Sequence, residues 1–97
     1  MPVYIIIEIK IKDKKPYLKY IAQVRSIVEK YKGRYLVRGG KITPLFNSWN
    51  PERIIVIEFP SSQDVSCWLN SPEYKAIAGL RQDSTVTKAI MVEGCDR

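Results

Sequence analysis

Between Val3 and Ile11 every odd position is aliphatic: Val3, Ile5, Ile7, Ile9 and Ile11. A two-residue period places all five side chains on one face of an extended strand, whereas a helix would scatter them around its circumference. The even positions Tyr4, Ile6, Glu8 and Lys10 form the other face, and half of it is apolar too. A strand with one wholly apolar face needs packing elements on that side. This strand also asks for cover on the other.

The period then changes. Tyr17, Tyr20, Ile21, Val24, Ile27, Val28 and Tyr31 recur at the three-and-four spacing of an amphipathic helix, with Pro16 suited to the first turn and Gly33 to the carboxyl cap. The spacing predicts helix one over about Pro16 to Lys32. Alternation returns from Arg34 to Arg38 as strand two, interrupted by Gly39-Gly40 and expected to continue through Lys41 to Phe46. The turn formers Asn47-Ser48-Trp49-Asn50-Pro51 lead into strand three, Arg53 to Phe59. Ser61, followed three residues later by Asp64, resembles a capping box that opens helix two. Ser71-Pro72 breaks that helix, with Ser71 capping a continuation to about Gln82. Thr85 to Glu93 is the fourth strand, with Val86, Ile90 and Val92 on one face and Thr87, Ala89 and Met91 on the other.

The order βαββαβ predicts an α+β, ferredoxin-like fold: an antiparallel four-stranded sheet, order 4-1-3-2, with both helices on one face. Ile55, Ile57 and Phe59 then face the helices, leaving Ile54, Val56 and Glu58 beside Tyr4, Ile6 and Glu8 on the uncovered side. Each large aliphatic left wet forgoes roughly 1.5–3 kcal/mol, in a domain whose net stability is about 5–15 kcal/mol. A second copy of the chain is the simplest cover, so a homodimer is expected.

Composition removes several function classes. A chain of 97 residues has room for one core, so residues 1–97 are expected to form one domain. Histidine is absent, which removes Ser-His and Cys-His pairs and every histidine-containing metal set. Cys67 and Cys95 belong to no CxxC pair and suit reduced thiols; iron–sulfur ferredoxins need four cysteines. No cofactor and no metal are therefore expected. Met1-Pro2-Val3-Tyr4 enters the apolar run without a basic leader, and no run approaches the ~20 apolar residues of a spanning helix. A soluble, cytoplasmic protein without a membrane partner is expected. The net charge of +6 is only partly clustered, at Lys10, Lys12, Lys14 and Lys15. Strand three, Ile54-Ile55-Val56-Ile57-Glu58, offers no aromatic platform for bases, so no specific nucleic-acid partner is expected.

Four stretches carry a family likeness: Arg34-Tyr35-Leu36-Val37-Arg38-Gly39-Gly40, Trp49-Asn50-Pro51-Glu52-Arg53, Ile57-Glu58-Phe59-Pro60-Ser61 and Trp68-Leu69-Asn70-Ser71-Pro72-Glu73-Tyr74. Together they resemble the bacterial domain-of-unknown-function family thirteen-thirty, over nearly the whole chain. The resemblance implies a ferredoxin-like fold that pairs through its sheets into a dimeric α+β barrel, an architecture shared with cofactor-free monooxygenases and muconolactone isomerases. It implies no established activity. Lys12-Asp13-Lys14-Lys15-Pro16 departs from the family pattern, which has a shorter, more acidic turn there.

The residues themselves nominate a site. Tyr74, Ile77, Ala78 and Arg81 share one helical stripe, which puts a guanidinium at or near a core-facing position where it needs an anionic partner. One reading is a small anionic or aromatic metabolite held by Arg81 and Arg38, with Trp68, Tyr74 and Tyr20 shaping the pocket. The other is an internal ion pair, or an arginine that reaches water along its apolar stem. Arg38 and Glu58 are candidates for a cross-strand pair, and Glu8 and Glu58 for a close carboxylate pair with one raised pKa. Two functions stay open: a cofactor-free enzyme acting on a small oxygenated or aromatic metabolite, and a non-catalytic small-molecule-binding or interaction dimer.

Overall fold

The computed structural model describes Met1 to Cys95. Its elements are β1 (Val3–Ile11), α1 (Lys14–Lys30), β2 (Arg34–Arg38), β3 (Arg53–Phe59), α2 (Ser62–Leu69), α3 (Pro72–Ser84) and β4 (Thr85–Glu93). The strands form one sheet in the order β2-β3-β1-β4, each neighbouring pair antiparallel. This is the ferredoxin-like arrangement expected from the change of period.

The alternation in β1 works as read. Val3, Ile5 and Ile9 are buried against the helices, and Ile55, Ile57 and Phe59 of β3 lie on the same face. From above, α1 contributes Tyr17, Tyr20, Val24 and Val28, while α2 and α3 contribute Val65, Trp68, Tyr74 and Ile77. The opposite face carries Tyr4, Ile6, Ile54 and Val56, with Ile90 opposite Ile6 and Val92 opposite Tyr4 on β4. Ile90 is 58% exposed, a large apolar residue that its own chain leaves in water.

Helix ends differ from the sequence reading, and each difference has a local cause. α1 starts two residues earlier than Pro16, because the Asp13 carboxylate accepts the Lys15 N–H (3.3 Å) and caps the first turn. It ends at Lys30, where Lys32, not Gly33, takes the left-handed conformation (φ 75°). The Lys32 N–H donates to the Glu29 carbonyl and the Gly33 N–H to the Val28 carbonyl, a Schellman ending. Gly33 is required for space: a Cβ there would overlap Val28 and sit 2.8 Å from Phe59 Cζ. The Ser61 and Ser71 caps form as expected, with the Asp64 and Tyr74 N–H groups donating to their hydroxyls.

Lys41 to Phe46 does not extend β2. Gly39 turns the chain away at φ 76°, its N–H the last to reach β3 at the Ile54 carbonyl (3.1 Å). Beyond it, Pro44 and Pro51 have no N–H to donate to a ladder. The segment is a loop whose tip, Asn47-Ser48 with both φ positive, leaves Leu45 and Phe46 each 81% exposed. Cys67 and Cys95 are free and exposed. Among the described residues, no helix is long and apolar enough to cross a membrane.

Candidate functional site

A cavity of about 460 Å³ lies between the sheet and the helices, within the roughly 300–1,000 Å³ typical of small-molecule sites. Its floor is aliphatic: Ile5, Ile7 and Ile9 from β1 and Ile55 and Ile57 from β3. Thr87, Ala89 and Met91 of β4 continue that floor to the sheet edge, and α1, α2 and α3 form the roof. All five residues nominated from the sequence, Tyr20, Arg38, Trp68, Tyr74 and Arg81, are in its wall.

Each reaches the cavity for a reason in the chain. Tyr20 belongs to the buried stripe of α1. Tyr74 and Arg81 are seven residues apart on α3, two helical turns, so they share a face, and the Arg81 Nε–H donates to the Tyr74 hydroxyl (3.3 Å). Trp68 is held by its neighbours, stacked on Phe59 at 5.4 Å between centroids and tilted against Tyr74 at 4.8 Å. Arg38 depends on a bulge. Tyr35 pairs with Ile57, Val37 with Val56 and Arg38 with Ile55, so one extra residue lies between Tyr35 and Val37. Strict alternation would send Tyr35 and Arg38 to opposite faces; the extra residue brings both to the cavity.

Two candidate pairs do not form. Glu58 pairs with Arg34 (2.6 Å), not Arg38, and accepts the Tyr4 hydroxyl at 3.0 Å. Arg38 instead donates to the Ile21 carbonyl (3.0 Å) and lies 5.2 Å from the Tyr35 ring. Glu8 and Glu58 do not form a carboxylate pair either. Glu58 stands opposite Tyr4 and Glu8 opposite Ile54, four residues apart along the strand and therefore about 13 Å. The Arg34 guanidinium, and then the Tyr4 hydroxyl, hold the Glu58 carboxyl below its ordinary range. A raised, base-like carboxylate is not what this geometry produces.

The cavity contains two polar features that the sequence did not single out. Arg53 occupies the helix side of β3, two residues before Ile55, with its guanidinium 5.9 Å from the Tyr17 ring and its Nε buried without a hydrogen-bond partner. Extending the alternation of Ile55, Ile57 and Phe59 back by one step would have found it. Tyr35 is the second, and no sequence signal marks the bulge that turns Arg38 beside it. The buried Trp68 Nε1 also lacks a partner, although buried donors are nearly always satisfied by protein, water or ligand.

The charge balance of this wall is one-sided. Three guanidinium groups, from Arg38, Arg53 and Arg81, line it, and among the described lining residues there is no Asp or Glu. The ion pairs of the described residues join Arg25 to Glu29, Lys30 to Glu73, Lys32 to Asp64 and Arg34 to Glu58, and involve none of the three. Among the described residues, Arg81 therefore has no ion-pair partner. Its partner is a neutral phenol.

Tyr20 and Tyr35 hold their protons firmly. Burial pushes the Tyr20 hydroxyl well above its ordinary value, reinforced by Tyr74, and burial raises Tyr35 to about 12. The Tyr20 and Tyr74 oxygens are 3.0 Å apart. Two hydroxyls carry two protons, and their mutual bond uses one. The other remains as a donor beside Arg81, in a place where an anionic oxygen would accept it. Among the described residues, no cluster of His, Cys, Asp or Glu is placed to hold a metal ion.

Sequence and fold comparisons place the chain. The model of the family described as Domain of unknown function (DUF1330) matches residues 2–95. The chain belongs to this family. Solved structures share the DUF1330 chain's fold at low identity. One is a protein of unknown function from Rhodopseudomonas palustris, 14% identical, TM-score 0.83, covering 99% of this chain and 84% of that one. A dimeric ferredoxin-like protein of unknown function from Jannaschia sp. CCS1 is 8% identical, TM-score 0.73, with 97% and 100% covered. SnoaB, a cofactor-independent oxygenase from Streptomyces nogalater, is 9% identical, TM-score 0.69, with 99% and 95% covered. No curated protein matches the chain.

Proposed function

We propose that this DUF1330 chain is a homodimer in which each protomer binds a small, planar, oxygenated anion of aromatic type in the cavity between sheet and helices. The observation that carries the reading is the set of three part-buried arginines with no carboxylate among the described lining residues. A charge taken out of water needs a counter-charge, and here the chain supplies neutral partners instead. Arg81, with the spare hydroxyl proton of the Tyr20–Tyr74 pair, holds the anionic oxygen. Trp68, fixed by Phe59, and the aliphatic floor provide the flat apolar surfaces.

Pairing follows from the other side of the sheet. Ile6, Ile54, Val56, Ile90 and Val92 form an apolar face on which no described element packs. Faces of this kind mark interfaces, and the fold neighbour from Jannaschia sp. CCS1 is dimeric.

A second reading, cofactor-free chemistry on the bound anion, rests on the Tyr20–Tyr74–Arg81 chain of hydrogen bonds. Donors aimed at a developing enolate or phenolate oxygen stabilise that charge. Among the described lining residues there is no carboxylate, and the sequence has no imidazole to accept a proton. Binding a ligand that arrives as an anion is thus the better supported function.

Thermal melts against benzoate and related small carboxylates test the reading. A ligand specific to the folded state at a hundred times its Kd adds about 2.7 kcal/mol, a midpoint rise on the order of 10 °C or more for a chain this size. An unchanged midpoint with every carboxylate at millimolar concentration refutes it.

A further inference from the structure

We infer that the ligand carries two negative charges, with Arg38 and Arg53 forming a second anionic subsite beside that of Arg81. The inference rests on the binding reading above and adds the charge and class of the ligand: an aromatic dicarboxylate or an equivalent dianion.

The three arginines come from two parts of the wall, one from the helices and two from the sheet. Arg81 is on α3 and bonded to Tyr74, beside Tyr20 of α1. Arg38 and Arg53 come from β2 and β3, on neighbouring strands. Arg38 is fixed by the Ile21 carbonyl and the Tyr35 ring. Arg53 is fixed by the Tyr17 ring and by Gly39, whose missing side chain leaves room for the guanidinium against the backbone.

These partners are a phenol, a carbonyl and two aromatic rings. All orient a cation and none carries net charge to balance it. A monoanion at Arg81 would leave the Arg38–Arg53 side without a counter-charge, and a dianion answers both. The buried Arg53 Nε that has no partner belongs to this second place. A bulge that turns Arg38 inward and a glycine that admits Arg53 are two separate features of the chain that bring arginines of neighbouring strands to the cavity.

Calorimetric titration of the full chain compares benzoate with phthalate, isophthalate and terephthalate, which hold the second carboxylate in three directions. At least one dicarboxylate should bind ten-fold or more tightly than benzoate. Arg38→Met should reduce that preference to less than three-fold. Because Arg38 also bonds the Ile21 carbonyl, Arg53→Met provides the same measurement without that contact, and circular dichroism confirms that each variant is folded. Benzoate binding with no preference for any dicarboxylate, or a preference that survives both substitutions, overturns the dianion and leaves the monoanion reading standing. Failure of all four acids to bind removes both.

Discussion

Arg81→Met separates a binding arginine from an architectural one. In the structure Arg81 is part-buried, and its described hydrogen bond is the Nε–H donated to the Tyr74 hydroxyl at 3.3 Å. Losing a bond of that kind costs about 0.5–1.5 kcal/mol net. Methionine keeps the apolar stem, the Tyr74 oxygen keeps Tyr20 at 3.0 Å, and a charge without a counter-charge disappears from the wall. The terms oppose each other, so the free protein should change by no more than about 1 kcal/mol, within ~8 °C of melting temperature for a chain of this length. Had Arg81 been half of a buried ion pair, the same change would strand a carboxylate and cost roughly 3–5 kcal/mol. Binding should respond differently. A charge-assisted hydrogen bond is worth about 1.5–3 kcal/mol, so the Kd for benzoate should rise roughly 10- to 150-fold. Melts and calorimetry on the same preparation measure both quantities. A loss of stability above about 3 kcal/mol with unaltered benzoate affinity would refute the reasoning and make Arg81 part of the architecture.

Val56→Asp places a charge on the open sheet face opposite Ile6; light scattering at micromolar concentration should show twice the chain mass for the unmutated protein and one chain mass for the variant, and an unmutated monomer would sink the interface. Glu73 is held at about 2, below its ordinary 4.5, by Lys30 and then by the Tyr31 hydroxyl. A pKa lowered by folding contributes stability that is fully present above the ordinary value and lost as pH falls toward the folded one. The melting temperature should therefore decline between pH 4.5 and 2, and Glu73→Gln should flatten that decline; an identical slope in both proteins contradicts the assignment. Gly39→Ala forces a side chain into φ 76° and against the Arg53 guanidinium, which should cost at least ~1–2 kcal/mol in a denaturant midpoint series and weaken dicarboxylate binding. A neutral result would show that neither the turn nor Arg53 depends on the glycine.

Much of the architecture is a local property of the chain. The period of two in Val3–Ile11, the three-and-four stripe from Tyr17 to Tyr31, and the Ser61 and Ser71 caps act within a few residues, so order, type and buried face are legible from side-chain spacing. So is the approach of Tyr74 and Arg81, because two positions seven apart on one helix share a face. Extents at the ends were less legible. Asp13 caps earlier than Pro16 suggested, and the turn at Gly39, followed by Pro44, keeps Lys41–Phe46 out of the ladder that alternation alone had extended.

What the tertiary structure alone decided is the company that Arg38 and Glu58 keep. One extra residue between Tyr35 and Val37 turns Arg38 from the open face to the cavity and delivers Arg34 to Glu58. The reason is the geometry of a strand: faces alternate at every residue, so a single insertion reverses each side chain beyond it. Pairing register is fixed by contacts between segments far apart in sequence, and no pattern within β2 encodes it. The one-sided charge of the cavity has the same origin. Arg53, Arg38 and Arg81 stand on three different elements, and their shared lack of a carboxylate partner among the described residues exists only once β2, β3 and α3 are packed around one space.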